Sequence, residues 1–289
     1  MTSGSRRLPR PGEVLAGRYR IDSAMARGGM GVVYDGRDLE LGRPVAIKVL
    51  PPFVRADNAR QRFLRECQLT ASIDHPNVIR IYDAGFDSGL APYFVMERLE
   101  GTTLGRWVKG HGALALRPAL QVTLGVCAAL EAAHARDVLH RDVKPANVFL
   151  TAPPRERVVL FDFGLSLEAS RRTRITDHGV LVGTPAYMAP EQVLGKTVDA
   201  RTDVYGAGTV AYRVLTGHRH IPKDSTEVGQ VFDAVVHGQP KPIREHVPEV
   251  PAEVEALVMR ALEKSPDERF QSAAEMRDAI REVLDRLAA

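Results

Sequence analysis

Between Arg18 and about Glu97 the apolar residues come in short runs rich in β-branched and aromatic side chains: Tyr19 to Ile21, Val32 to Tyr34, Val45 to Leu50, Ile79 to Phe86 and Tyr93 to Met96. Runs this short, punctuated by turn-forming residues, predict the strands of one sheet. One stretch breaks the pattern. From about Ala59 to Ser72, Phe63, Leu64, Cys67 and Ala71 recur at the spacing of a helix face. After Gly101 the period changes. Leu120, Leu124, Cys127 and Leu130 mark a helix over Ala119 to Ala135. Val254, Leu257, Val258 and Ala261 mark another over Pro251 to Glu263, where the proline suits a first helical turn. Ser272-Ala-Ala-Glu275 is a capping box opening a last helix with Met276, Ala279, Ile280, Val283 and Leu287. A strand-rich first third thus precedes a helix-rich remainder. The boundary falls near Glu97 to Thr103, and there is no internal repeat.

The 289 residues, 44% hydrophobic, 26% charged and 6% aromatic, have the composition of an ordinary soluble globular protein, which excludes fibrous and disordered classes. At roughly 150 residues per domain, the length predicts about two units. The net charge is only +3, with 39 basic residues interleaved with 36 acidic ones, so nucleic acid is not an expected partner. Arginine dominates, 32 against 7 lysines, and each retained lysine marks a position worth inspecting for the compact charge of an ammonium. Cys67 and Cys127 are too far apart in sequence for a disulfide framework or zinc motif and read as buried thiols in a reducing cytoplasm. The nearest approach to a membrane span, Pro118 to Ala135, is interrupted by Gln121, Thr123, Glu131 and His134. Residues 1–12, rich in Ser, Arg and Pro, lack the apolar segment of a signal peptide and are expected to form a flexible tail. The expectation is a cytoplasmic location, with no membrane contact from this chain.

Candidate chemistry sits in a few places. Ala26-Arg27-Gly28-Gly29-Met30-Gly31 joins two predicted strands, and its glycines would let backbone N–H groups approach phosphates. A glycine-rich hairpin turn without a ligand has the same look. Val45-Ala46-Ile47-Lys48 puts a lysine in an apolar strand, where its charge needs a partner; Glu66 on the following helix is the candidate. His140-Arg141-Asp142-Val143-Lys144-Pro145-Ala146-Asn147 gathers an acid, a lysine and an amide on a loop that Pro145 keeps from becoming a plain helix. That set suits orienting a hydroxyl, neutralising a phosphate and holding a metal. Val158 to Gly164 places Asp162 directly after an apolar strand, and Asn147 with Asp162 matches the oxygen preference of Mg²⁺.

Glycine loop, Val-Ala-Ile-Lys, His-Arg-Asp, Asp-Phe-Gly and then Ala189-Pro190-Glu191 form, in this order, the protein-kinase signature set. From about Gly12 to Leu287 the chain resembles bacterial Ser/Thr protein kinases of the eukaryotic type. The resemblance implies an α+β, bilobal protein-kinase-like fold. An antiparallel-sheet N-lobe with one main helix would span 13–97, a hinge 98–103, and a mostly helical C-lobe 104–289, with ATP in the cleft. Met25, Ala26, Gly28, Gly29, Gly31 and Val33 would cover the ATP phosphates, with Ala46 also among the ATP contacts. Lys48, paired with Glu66, would contact the α and β phosphates. Met96 resembles a gatekeeper, and Glu97 and Leu99 the hinge residues whose backbone meets adenine. Thr103 stands where some relatives place an acid that contacts ribose. Asp142 resembles the catalytic base, Lys144 the γ-phosphate contact, and Asn147 and Asp162 the Mg²⁺ ligands, with Mn²⁺ able to substitute. The implied reaction is direct transfer of the γ-phosphoryl of Mg-ATP to serine or threonine hydroxyls of protein substrates. Lys144 and Gly183 to Tyr187 favour this class over tyrosine kinases. Arg141 implies activation by a phosphate on segment 162–191, with Thr173 and Thr176 best placed for autophosphorylation and a homodimer as the arrangement for transfer in trans. Glu191 with Arg269, and Asp203 under the catalytic loop, are implied supports.

Several features depart from that pattern. Ala26 replaces the first glycine, and its methyl is expected to restrict the loop and weaken ATP binding. Gly206 and Gly208 fall inside a helix, at about 1 kcal/mol each relative to alanine and with no functional account. Gly195-Lys196-Thr197 lacks the glycine of a phosphate loop, since Pro190 occupies that position, and Gly206 to Ala211 has no clear strand before it to make a dinucleotide motif. His75 and His140 read as scaffold hydrogen-bonders. Two rival readings remain: a pseudokinase or ATP-binding docking module, and a small-molecule kinase.

Overall fold

The computed structural model describes residues 8–28, 31–50, 57–86, 92–153, 156–163, 185–222 and 227–287. The chain divides into two compact units, residues 1–74 with 79–100, and residues 75–78 with 101–289.

The first unit is one antiparallel sheet in the order β1-β2-β3-β4-β6-β5. Its strands are β1 Val14–Leu15, β2 Tyr19–Gly28, β3 Gly31–Asp38, β4 Arg43–Val49, β5 Ile81–Phe86 and β6 Pro92–Glu97. Every second residue turns inward, so Tyr19 and Ile21, Val32 and Tyr34, Val45, Ile47 and Val49, and Tyr93 and Val95 meet in one buried cluster. The strands outrun the apolar runs that announced them. β2 continues through the exposed stretch Asp22 to Ala24 to Gly28 because pairing with β3, not burial, holds it there. The helix α1, Asp57–Ala71, sets Phe63 edge-on to Phe86 with ring centroids 5.6 Å apart. At the β3–β4 turn the buried Asp38 carboxylate takes two hydrogen bonds from Arg18, at 2.9 and 2.8 Å, and one each from the N–H groups of Glu40 and Leu41. The Arg18 guanidinium, helped by these N–H groups, holds that carboxyl down at about 2.

The second unit carries the helices: α2 Leu104–His111, α3 Leu116–His134, α4 Pro190–Val193, α5 Ala200–Thr216, α6 Val228–Val236, α7 Ala252–Ala261 and α8 Ala273–Arg286. It also contains a three-stranded antiparallel sheet, β7 Gly101–Thr103, β8 Val148–Thr151 and β9 Val158–Leu160. Of these strands only β9 stands out in the sequence. Three or four residues carry too few positions to display alternation. Val78 bridges Leu160, and the Asn77 amide donates to the Val158 carbonyl at 2.7 Å. Residues 75–78, inside the stretch 13–97 expected to form the first lobe, therefore pack with the second unit. Helix starts also shift: α3 begins at Leu116 rather than Ala119, and Pro251 caps α7 from just outside its first turn. At α8 the Ser272 hydroxyl accepts from the Glu275 N–H at 3.0 Å. The Glu275 carboxylate bonds the Gln271 N–H one residue upstream, so half of the expected capping box forms.

α5 is the centre of this unit. Fourteen of its 17 residues are buried, which is why it shows no single apolar stripe, and α3, α7 and α8 pack around it. Below it lies an ion pair. Arg269, 0% exposed, aims Nη1 and Nη2 at the two Glu191 oxygens at 2.8 and 2.9 Å, and its remaining N–H groups reach the carbonyls of Arg201, Glu263 and Lys264. Burial alone would raise the Glu191 carboxyl. The Arg269 guanidinium and the Thr202 hydroxyl outweigh burial and hold it below its ordinary value. Both cysteines are buried, and burial pushes the Cys127 thiol up to about 12. Among the described residues no helix is long and apolar enough to cross a membrane.

His220 gives the fold a pH dependence. Its Nε2 meets the Tyr205 hydroxyl at 3.0 Å, its Nδ1 is buried without a partner among the described residues, and burial pushes its pKa down to about 3. The unfolded chain takes up a proton near 6.5, whereas the folded chain does not until about 3, so stability present above pH 6.5 is lost as pH falls through that window. Urea midpoints are expected to drop between pH 7.5 and pH 5. In His220→Gln that drop is expected to be smaller, and an equal drop in wild type and variant would refute the assignment.

Candidate active site

In the first unit the β2–β3 hairpin closes with Gly28 facing Gly31. Gly31 has φ +124°, and a Cβ there would lie 2.2 Å from the Val49 carbonyl oxygen, so the close approach of β4 demands glycine. Gly28 has open space around it and no positive φ. Ala26 lies just past a register shift in β2, opposite Val33, with backbone that any residue adopts. Lys48 is 5% exposed on β4, and Ala46 on the same strand pairs with Met96. Glu97 ends β6 with its N–H bonded to the Arg80 carbonyl at 2.9 Å, and Leu99 follows half-buried.

In the second unit the loop after α3 folds on itself. The Lys144 ammonium donates to both Asp142 oxygens, at 2.8 and 2.7 Å. The Asn147 amide nitrogen donates to the Asp142 carbonyl at 2.8 Å and to its carboxylate at 3.0 Å. Those bonds use the amide N–H groups and leave Asn147 Oδ1 as an oxygen donor. The Asn147 carbonyl accepts from the Phe161 N–H at 3.1 Å, just before β8 and just after β9, and Asp162, held in the left-handed region at φ +65°, is the next residue. One carboxylate and one amide oxygen are the hard donors that Mg²⁺ takes together with substrate phosphates. Among the described residues no group of three or more His, Cys, Asp or Glu could hold a metal by itself.

The loop is anchored from below. Asp203 on α5, 1% exposed, accepts from the N–H groups of His140 at 2.8 Å and Arg141 at 2.7 Å, and meets His134 Nε2 at 2.8 Å. His140 joins its Nε2 to the Phe161 carbonyl at 3.0 Å and its Nδ1 to the Asp142 N–H at 3.2 Å. Arg141 sits at φ +63°, and its Nε is buried with no hydrogen-bond partner among the described residues.

Residues 19–280 match the family model for the protein kinase domain. The chain belongs to the protein kinase family. It is 40% identical over 277 residues to the serine/threonine-protein kinase PknB of Mycolicibacterium smegmatis, covering 92% of this chain and 43% of that protein. The probable serine/threonine-protein kinase SCO3848 of Streptomyces coelicolor is 40% identical over 281 residues, 94% of this chain and 40% of that one. The chain thus spans about two fifths of the length of these curated relatives. Among solved structures, a double mutant of the PknI kinase domain of Mycobacterium tuberculosis is similar at a TM-score of 0.77 and 28% identity, over 96% of this chain and 100% of that one. The kinase fold expected from the motifs holds.

Within this kinase the structure brings Asp142, Lys144, Asn147 and Asp162 together in one unit, while Met25, Ala26, Gly28, Gly31, Val33, Ala46, Lys48, Glu97 and Leu99 belong to the other. Gly29, the Glu66 side chain, Thr173 and Thr176 lie outside the described residues. Thr103 has a use the sequence does not announce: its hydroxyl accepts from the Arg106 N–H at 3.3 Å and caps α2. His134 was not legible as a support of the site, because nothing in local spacing marks a helix-end histidine as the partner of an acid 69 residues along the chain.

The two unexplained helix glycines acquire a reason. A Cβ on Gly206 would stand 2.6 Å from the Val143 Cβ and 3.1 Å from its carbonyl oxygen, and one on Gly208 2.9 Å from the Ala261 Cβ. α5 can lie against the loop at Val143 only because Gly206 has no side chain. Gly206→Ala is therefore expected to destabilise the protein by about 1–3 kcal/mol despite alanine's better helix propensity. Gly110→Ala on α2, where nothing lies within 4 Å, is expected to be neutral or stabilising by up to about 1 kcal/mol. Urea unfolding of both variants checks the contrast, and a stabilised Gly206→Ala would contradict it.

Proposed function

We propose that this kinase transfers the γ-phosphoryl group of Mg-ATP to serine and threonine hydroxyls of proteins, with Asp142 as the catalytic base. The observation that carries the reading is the Asp142, Lys144 and Asn147 cluster. The relatives' names, serine/threonine-protein kinase at about 40% identity, support it. Asp142 accepts the hydrogen bond of the acceptor hydroxyl and takes its proton as the hydroxyl oxygen bonds to phosphorus and the bond to the departing ADP oxygen breaks. Lys144 has three N–H donors; two meet Asp142, and the third is left for a γ-phosphate oxygen. Mg²⁺, when bound, neutralises charge on the phosphates, and Asp162 with Asn147 Oδ1 are the donors suited to hold it.

Lys48, oriented by Glu66, contacts the α and β phosphates; Met25, Ala26, Gly28, Gly29, Gly31 and Val33 cover them; Ala46, Glu97 and Leu99 take the adenine. Autophosphorylation of Thr173 or Thr176, in trans between two copies, would bring an anion to Arg141, whose buried Nε has no partner among the described residues. Purified protein with Mg-ATP is expected to label itself and a generic basic substrate. Asp142→Asn should lower the transfer rate by about 10²–10⁴-fold with ATP binding retained. Lys48→Met should also lose transfer, and phosphosite mapping should locate label at Thr173 or Thr176. Wild-type protein that binds ATP without any transfer would make this a pseudokinase.

A further inference from the structure

Gln192, the third residue of α4, makes two hydrogen bonds in different directions. Its Oε1 accepts the Ala189 N–H at 2.9 Å, and its Nε2 donates to the Arg141 carbonyl at 2.8 Å. The amide's orientation is forced, since an N–H must face an oxygen and a carbonyl must face a nitrogen. The first bond is an ordinary cap of a short helix. The second reaches the residue immediately before Asp142, and capping has no need of it.

That residue is held in an unfavourable state. Arg141 sits at φ +63°, a conformation that side chains disfavour and that persists only where its surroundings over-determine it. Its N–H is fixed by Asp203 and its carbonyl by Gln192, so the peptide groups on both sides of the strained Cα are tied to different elements, α5 and α4. Resting on the reading of Asp142 as catalytic base, we propose that Gln192 is a positioning residue for catalysis. It clamps the Arg141 carbonyl, sets the direction in which Asp142 leaves the backbone, and couples that direction to the Ala189-Pro190-Glu191 end of the activation segment. Only glutamine fits this role at this length. A glutamate keeps the acceptor for Ala189 but turns an oxygen toward the Arg141 carbonyl, and a methionine fills the space with neither bond.

Gln192→Glu and Gln192→Met test the assignment in the full chain, beside wild type and Asp142→Asn. Both Gln192 variants are expected to lose about tenfold in kcat, the size of one positioning hydrogen bond, with the KM for ATP within twofold of wild type. Hydrogen exchange of the 140–143 segment should quicken in both, while that of α8 stays unchanged, a local effect that simple destabilisation would not produce. If Gln192→Met keeps wild-type kcat and wild-type exchange at 140–143, the positioning role is wrong while the kinase reading stands. If wild type itself transfers no phosphate, the kinase reading fails, and exchange at 140–143 still decides whether Gln192 holds the loop.

Discussion

A carboxylate taken out of water loses several kcal/mol of hydration unless donors replace it, and Asp203 is 1% exposed in the first turn of α5, a helix with 14 of its 17 residues buried. The His140 and Arg141 N–H groups and His134 Nε2 meet that need. The arrangement works in both directions. The loop's backbone N–H groups satisfy the acid, and the acid satisfies a loop that forms no ladder of its own. α3, α5 and the catalytic loop are joined at one atom group. Beyond it Asp142 pairs with Lys144 through a tight turn, with His140 and Asn147 bonded to the same residue.

The same logic of buried charge recurs a few residues away. Arg269 satisfies all five of its N–H groups, two on Glu191 and three on carbonyls from two different stretches of chain. A planar fork of donors suits this work, whereas an ammonium could meet only three partners. α4 is thereby fixed to the loop before α8, and Gln192, next to Glu191, is carried to the Arg141 carbonyl. The absence of side chains on Gly206 and Gly208 lets α5 approach both the catalytic loop and α7. A helix that looks weak by propensity thus packs closely against its neighbours, because what it loses in backbone entropy is offset by contacts that alanine would forbid.

How much could be read beforehand follows from the range of each interaction. Lys48, Asp142, Lys144, Asn147 and Asp162 were legible because each lies in a short motif whose spacing is set by local backbone. The sheet of the first unit was legible because its strands alternate over several residues, as Val45, Ile47 and Val49 do. β7 and β8 were not, being too short to show a period, and neither was the extension of β2, which depends on a partner strand. Nor was it legible that Gly31 has no room for a side chain, because what blocks it is the Val49 carbonyl on another strand.

The sequence by itself determined the division into a sheet unit and a helical unit, the family, and which residue types are available for chemistry, because periodicity and motif spacing are properties of neighbouring residues. Only the tertiary structure decided that His134 shares an acid with the catalytic loop, that Thr103 caps a helix, that Gly206 makes room for Val143, and that Gln192 holds the Arg141 carbonyl. Each of these joins groups whose encounter depends on how whole elements pack, and packing is settled by the summed burial of the core rather than by any local pattern.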